Sequence, residues 1–299
     1  MITVRTKGDL RGVLRDRRGG TVGLVPTMGA LHEGHLSLLR RAREECDTVV
    51  VSVFVNPAQF RPGEDLSTYP RDEERDTRLA EDEGADVLYA PTAEEVYPPG
   101  FATMVEVGGL TEVLEGDPAH RGPEHFRGVT TVVAKLLITV GPDVAYFGQK
   151  DAQQALVVER LVRDLDIPVR IATLPTVRDP DGLALSSRNA HLAPEDRERA
   201  LALRRALAAG EQAVAEGELT APQVLSRAAS VLHSAGVEPE YLELRSARDL
   251  APADRVNGAT LLAVAARVGR TRLIDNTVLR APEPTDRPAP AAAREEHAR

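Results

Sequence analysis

Four short stretches of this 299-residue chain gather side chains that could do chemistry. The first is PTMGALHEGHL, residues 26–36, which sets His32 and His35 three apart around Gly34, just before a run that reads as a helix. A zinc-protease helix needs H-E-x-x-H, with its histidines four apart on one face. Here no cysteine or third histidine lies nearby, so a metal is a poor fit. The loop is better placed for an anion, because helix N-termini present free N–H groups and a positive dipole end. Gly29 and Gly34 let the backbone come close to a ligand. Two imidazoles there could donate hydrogen bonds to a phosphate as negative charge builds up. The plainer alternative is that one histidine caps the helix and the other lies on the surface.

The other three stretches sit at similar junctions. FVNPAQF, residues 54–60, follows a strand and brings Asn56 and Gln59 to the strand's carboxyl end, where parallel sheets place their ligands. Both offer uncharged donors and acceptors suited to hydroxyls or a carboxylate, although an Asn-Pro turn explains the pattern equally simply. FGQKDAQQ, residues 147–154, holds Lys150, a compact cation suited to polyphosphate. Asp151 either accepts from ribose hydroxyls or caps the next helix, and Gln154 stands one turn further on, on the face of Lys150. RDPDGLALSSRN, residues 178–189, ends in two hydroxyls and an arginine, donors for terminal phosphates, or else it is a polar interdomain linker.

Positioning these stretches requires an alternating scaffold. TVGLVP, HLSLLRRAREEC and DTVVVSVFV read as strand, helix and buried strand, with Leu38, Leu39, Ala42 and Cys46 along one helical stripe. PRDEERDTRLAEDEG follows as a charged helix ending at Gly84, then strand ADVLYAP, helix GVTTVVAKLLITVG from Gly128, strand DVAYF, helix DAQQALVVERLVRDL and strand VRIATLPTV. Alternation of this kind predicts an α/β fold with a doubly wound parallel sheet, Rossmann-like, over residues 1–176. Two amphipathic helices and then three strands (EPEYLELR, ATLLAVAARV, TRLIDNTVL) predict a smaller α+β domain over 177–281, and the Pro/Ala/charge-rich residues 282–299 predict a disordered tail. The acidic DEERD run (72–76) is expected to be a solvated face, and His120, His125, His191, His233 and His297 to be surface residues.

Composition narrows the function classes. A net charge of −9, ten aromatic residues and no basic tract leave no footprint for nucleic acid. No apolar run approaches the roughly 20 residues of a membrane span, and the charged N-terminus is not a secretory signal. The one cysteine excludes internal disulfides and multi-cysteine metal sites, so a reduced, cytoplasmic setting is expected. Lysines number three (Lys7, Lys135, Lys150) against 34 arginines, which singles out Lys150 as a site preferring an ammonium.

At these stretches, and at EDLSTYPRD, HFRGVTTVVAKL and ARVGRTRLIDN, the chain resembles the pantoate–β-alanine ligase (pantothenate synthetase) family of the H-x-G-H nucleotidyltransferases, over nearly its whole length. The resemblance implies that pantoate carboxylate attacks the α-phosphate of ATP and that β-alanine then displaces AMP from pantoyl adenylate. It implies an ATP loop of Met28, Gly29, Ala30, Leu31, His32, Glu33, Gly34 and His35, with His35, His32 and Lys150 catalytic. Gly148, Gln149, Lys150, Asp151, Val177, Leu185, Ser186, Ser187 and Arg188 would complete the nucleotide site. Gln59 and Gln154 would hold pantoate, Gln59 also meeting β-alanine, with Asn56 in support. Mg²⁺ on the phosphates, with no protein metal ligand assigned, and a homodimer are further implications. Leu185 stands where the family commonly has Met, and extra residues in EGDPAHRGPEHFRG leave Arg121 outside the assigned set. Two other readings are a nucleotidyltransferase of the same superfamily acting on a phosphorylated acceptor, and a nucleotide-binding regulator without catalysis. The Gln59–Gln154 pair suits a small hydroxy acid better than a phosphate, and retention of the histidines, Lys150 and Ser-Ser-Arg argues for catalysis.

Overall fold

The computed structural model describes residues 1–282. β-Branched and apolar runs form β1 (Ile2–Val4), β2 (Val22–Thr27), β3 (Thr48–Val53), β4 (Val87–Tyr89), β5 (Val144–Gly148) and β6 (Arg170–Leu174). They build one sheet in the order β1-β4-β3-β2-β5-β6, each paired neighbour parallel. Parallel neighbours need crossovers, supplied by α1 (Lys7–Arg15), α2 (Glu33–Glu45), α3 (Glu73–Asp82), the short α4 (Ala93–Val96), α5 (Gly122–Val140) and α6 (Ala152–Asp164). β2 and β3 are buried almost without alternation, as strands covered on both faces must be. Leu10, Leu14, Phe126, Val133 and Val158 cover one face with Leu24 and Val50. Leu38, Leu39, Ala42 and Ala80 cover the other with Val25, Val49 and Val51. This is the doubly wound, Rossmann-like sheet the alternation predicts. The chain winds from β2 outward to β3 and β4, then returns to β5 on the opposite side of β2. The order therefore reverses between β2 and β5, and their carboxyl ends open the crevice.

The smaller α+β domain comprises α7 (Pro194–Ala215), α8 (Ala221–Ser234) and the antiparallel sheet β7 (Pro239–Ser246), β8 (Thr260–Val268), β9 (Thr271–Leu279). Along β8, Leu262, Val264, Ala266 and Val268 pack with α7 and α8, while Leu261, Ala263 and Ala265 join the core of the first sheet. Strand periodicity thus glues the two domains together. A buried ion pair reinforces the contact: Arg272 on β9 donates to both Glu115 oxygens at 2.7 and 2.8 Å, and Tyr241 donates to Glu115 at 3.0 Å. Burial works to raise the Glu115 carboxyl, but these donors outweigh it and hold it below the ordinary carboxylate range.

Several expectations need correction. β1 and α1 occupy the N-terminal segment, where Leu10 and Leu14 four apart form the buried stripe of α1, and α5 starts at Gly122 rather than Gly128. His125 is therefore helical, and it is 6% exposed rather than a surface residue. The acidic helix is not solvated throughout, because Asp76 is 1% exposed. The tail from residue 283, with His297, lies outside the described residues. Among the described residues no helix is long and apolar enough to cross a membrane.

Candidate active site

The loop from β2 to α2 is held in an unusual backbone path. Gly29 lies at φ +82° and Ala30 at φ +50°, the left-handed region that a side chain resists. Asp76 on α3 imposes it, accepting from Ala30 N–H at 2.8 Å and Leu31 N–H at 2.7 Å. Thr27 adds a turn bond, its Oγ1 accepting from Gly29 N–H at 3.1 Å while donating to the Ser52 carbonyl. A Cβ on Gly29 would sit 2.9 Å from the Asp76 carboxylate, which makes glycine necessary there.

The loop delivers His32 and His35 to the first turn of α2 as a close pair, ring centroids 4.1 Å apart and planes tilted by 36°. His32 is the N-cap and its Nδ1 accepts from Gly34 N–H at 3.2 Å; His35 Nδ1 accepts more weakly from His32 N–H at 3.4 Å. A Cβ on Gly34 would stand 2.9 Å from the His32 ring. Nitrogens that accept from the backbone carry no proton, so both imidazoles hold theirs on Nε2. Burial, followed by the Lys150 charge, pushes His32 down to about 4. Burial, then His32 and Lys150, pushes His35 down to about 3. Near neutral pH the pair is therefore uncharged and offers two Nε2–H donors. The capping reading and the anion reading are compatible, since one nitrogen caps while the other is free to donate.

A chamber of about 220 Å³ opens beside the pair. Met28, His32, Gly34, His35, Asn56, Gln59, Gly148, Lys150, Asp151, Gln154, Val177, Leu185, Ser186, Ser187 and Arg188 all line it. Gly29, Ala30, Leu31, Glu33 and Gln149 do not. Leu31 is buried beneath the loop, Glu33 pairs with Arg40, and Gln149 bonds to Asn276. A wider cleft of about 1280 Å³ runs between the two sheets and shares Lys150, Asp151, Gln154, Ser186 and Arg188 with the chamber.

Each remaining stretch is anchored by a distant partner. β9 holds the turn after β5: Asn276 Nδ2 donates to the Gln149 and Lys150 carbonyls at 3.0 and 2.9 Å. That turn runs directly into α6, and Asp151 makes no side-chain cap. Arg178 pairs with Asp275 at 2.6 Å, tying the loop before Ser186 to the same strand. Ser186 caps its own short turn, and Ser187 donates to Tyr69 at 3.1 Å. Arg188 makes a two-pronged pair with Asp65 at 2.8 and 3.1 Å. Arg121 pairs with Glu64 at 2.9 Å and lines both cavities. His125 Nδ1 donates to the Gln59 carbonyl at 2.8 Å, leaving Nε2 to accept from Arg121 at 3.2 Å.

Asp76, His125, Arg121, Asn276 and the Glu64–Asp65 pair are site-shaping residues that motif reading leaves out. For Asp76 a local signal existed, since it stands one turn before the buried Ala80 on the inner stripe of α3. Among the described residues no group of three His, Cys, Asp or Glu side chains is arranged to hold a metal.

Residues 2–278 match the sequence profile described as Pantoate-beta-alanine ligase. The chain is 56% identical over 265 residues to the pantothenate synthetase of Moorella thermoacetica, covering 88% of this chain and 92% of that one. It is 50% identical over 285 residues to that of Pelotomaculum thermopropionicum, covering 93% and 99%. Among solved structures, the pantothenate synthetase of Thermus thermophilus superposes with a TM-score of 0.88 at 49% identity, over 93% of this chain and 99% of that one. The Francisella tularensis pantoate-beta-alanine ligase, complexed with beta-gamma ATP and beta-alanine, gives 0.77 at 33% identity, over 93% and 97%.

Proposed function

The chain belongs to the pantoate–β-alanine ligase family, and from that premise we propose how its residues divide the work. It is an amide-forming ligase that uses ATP as co-substrate. In our reading the pantoate carboxylate attacks the α-phosphorus and expels pyrophosphate. The β-alanine amine then attacks the acyl carbon of pantoyl adenylate and expels AMP. Neither step needs an enzyme nucleophile, so the protein's contributions are alignment and charge stabilisation.

The observation that carries this reading is the convergence of His32, His35, Lys150 and the Ser186–Arg188 run on one chamber that also holds the amides Gln59 and Gln154. Because both imidazoles are neutral, His35 and His32 act as hydrogen-bond donors to phosphoryl oxygens rather than as acids or bases. Lys150 supplies the compact cation, and Ser186, Ser187 and Arg188 take the leaving phosphates. Met28, Gly148, Val177 and Leu185 surround the nucleoside, and Asp151 accepts from the ribose. Gln59 and Gln154 bind pantoate, Gln59 also borders the path of β-alanine, and Asn56 stands behind Gln59. Gly29, Ala30, Leu31, Glu33 and Gln149 serve by shaping the two loops.

Mg²⁺ belongs to the same reading, held by the triphosphate, since the described residues present no three-ligand cluster; no step is assigned to it. We further propose a catalytic domain over residues 1–176 and a lid domain over residues 177–281, a homodimer, and a cytoplasmic setting without nucleic-acid partners. Closure of the lid would shield the adenylate from water. The test is ATP–pyrophosphate exchange with Mg²⁺. Exchange that depends on pantoate is expected, and exchange supported by a phosphorylated acceptor instead of pantoate would overturn the substrate assignment.

A further inference from the structure

Gln59 is an amide whose two ends are chemically opposite, and the structure settles which end faces the chamber. Asn56, 1% exposed, is the key. Its Oδ1 accepts from Ala58 N–H at 3.2 Å, and its Nδ2 donates to the Gly128 carbonyl at 3.1 Å. A backbone N–H can only donate and a carbonyl can only accept, so the orientation of the Asn56 amide is fixed. Its Nδ2 also points at Gln59, 3.0 Å away, and the Gln59 atom there must therefore be Oε1. Gln59 Nε2 is left facing the chamber, where its partner is the Met28 sulfur at 3.1 Å. A thioether is a weak acceptor, readily replaced by a ligand oxygen.

Tyr97 completes the arrangement from outside the chamber, whose wall it does not reach. Its hydroxyl donates to Asn56 Oδ1 at 2.7 Å. The ring is fixed between Phe54 and Phe101, with centroids 6.3 and 5.1 Å away. Burial pushes the phenol up to about 12, so it stays a donor throughout the neutral range. We propose that Tyr97 and Asn56 are positioning residues that lock Gln59 as a donor, so that this end of the chamber selects a ligand oxygen, carboxylate or hydroxyl, and rejects a donor group. This rests on the reading of Gln59 as a pantoate contact and adds what fixes its polarity.

The test is a set of pantoate and ATP titrations on the full-length enzyme. Tyr97→Phe should raise the pantoate KM roughly five- to tenfold, the size of one buried hydrogen bond, and leave the ATP KM within about twofold. Asn56→Asp presents an acceptor on both oxygens, turns the Gln59 amide round, and should raise the pantoate KM further than Tyr97→Phe does. In a Gln59→Leu background, Tyr97→Phe should have no further effect. An equal Tyr97→Phe effect with and without Gln59 would overturn the relay while leaving Gln59 a pantoate contact. An unchanged pantoate KM in Gln59→Leu alone would instead overturn the contact, and the relay with it.

Discussion

Lowering the pH from 7.0 to 5.5 should destabilise this fold by about 4 kcal/mol, through three imidazoles buried in neutral form. His32 is pushed down to about 4, and His35 and His125 each to about 3, in every case first by burial. In the unfolded chain each would titrate near about 6.5. The sign follows: the folded values are depressed, so the unfolded state binds more protons and stability falls as pH falls through the unfolded value. At pH 5.5 an unfolded imidazole is about 90% protonated while the folded ones stay neutral, a difference of about 1.2 kcal/mol each relative to pH 7.0. The figure is insensitive to how far the folded values lie below 5.5. Carboxylates depressed in the fold add little in this window, since their unfolded values lie near about 4. Urea unfolding at the two pH values, on the wild type and on His125→Gln, measures the effect. Glutamine can still donate to the Gln59 carbonyl but takes up no proton, so the variant should lose about one-third of the pH dependence. A wild-type change below about 1 kcal/mol would refute the neutral assignment and with it the donor role of the histidine pair, and the same dependence in both proteins would refute it for His125 alone.

Three further outcomes follow from the geometry. His35→Ala should slow adenylate formation at least about 100-fold, as loss of a positioned donor does, with an unchanged circular dichroism spectrum; single-turnover quench measurements report it. Asp76→Asn turns one amide N–H toward backbone donors, and should lower kcat/KM by about 10- to 100-fold, the size of one or two lost charged hydrogen bonds. The same variant leaves a buried backbone N–H facing another N–H, so its urea midpoint should fall by the equivalent of about 1–3 kcal/mol. A Cβ on Gly128 would lie 2.3 Å from the Ala58 carbonyl oxygen. Gly128→Ala should therefore cost about 1–3 kcal/mol of stability and raise the pantoate KM by moving the 57–59 turn, both measurable by urea unfolding and kinetics.

The features of this molecule legible in its sequence are those whose signal is local. The β2–α2 loop announces itself by Gly29, Gly34 and two histidines, and the sheet by apolar runs separated by helical periods. What escapes is specified by partners far along the chain. Asp76 sits in a largely charged helix, and although its spacing from Ala80 marks the inner stripe, nothing nearby names Ala30 and Leu31 as its partners. His125 is buried because α5 begins two turns earlier than its apolar run and packs that extension on the 57–59 turn through Gly128. Tyr97 follows a four-residue helix in a stretch with no periodic pattern, and it matters only through Asn56. Asp275 and Asn276 sit in the middle of an ordinary-looking strand, yet they clamp both the 178–185 loop and the turn at Lys150.

The cations lining the two cavities are each close to a carboxylate, and that bears on which anions the proposed nucleotide site would favour. Arg188 is paired with Asp65 and Arg121 with Glu64, two adjacent carboxylates of one loop, while Lys150 lies 3.9 Å from Asp151. Without such partners, three cations around one cavity would repel one another at low dielectric. With them the ligand-free site is close to neutral, and an anion entering must compete for donors that are already engaged. The exchange lowers affinity for every anion, but a single carboxylate that displaces Asp65 gains only what it replaces. In the binding mode proposed above, a triphosphate would engage Arg188, Lys150 and the two Nε2–H donors together, and so gain more contacts than a single carboxylate does. On that reading, pairing the arginines would favour polyanions over the many monocarboxylates of similar size, before any adenine or ribose contact is made.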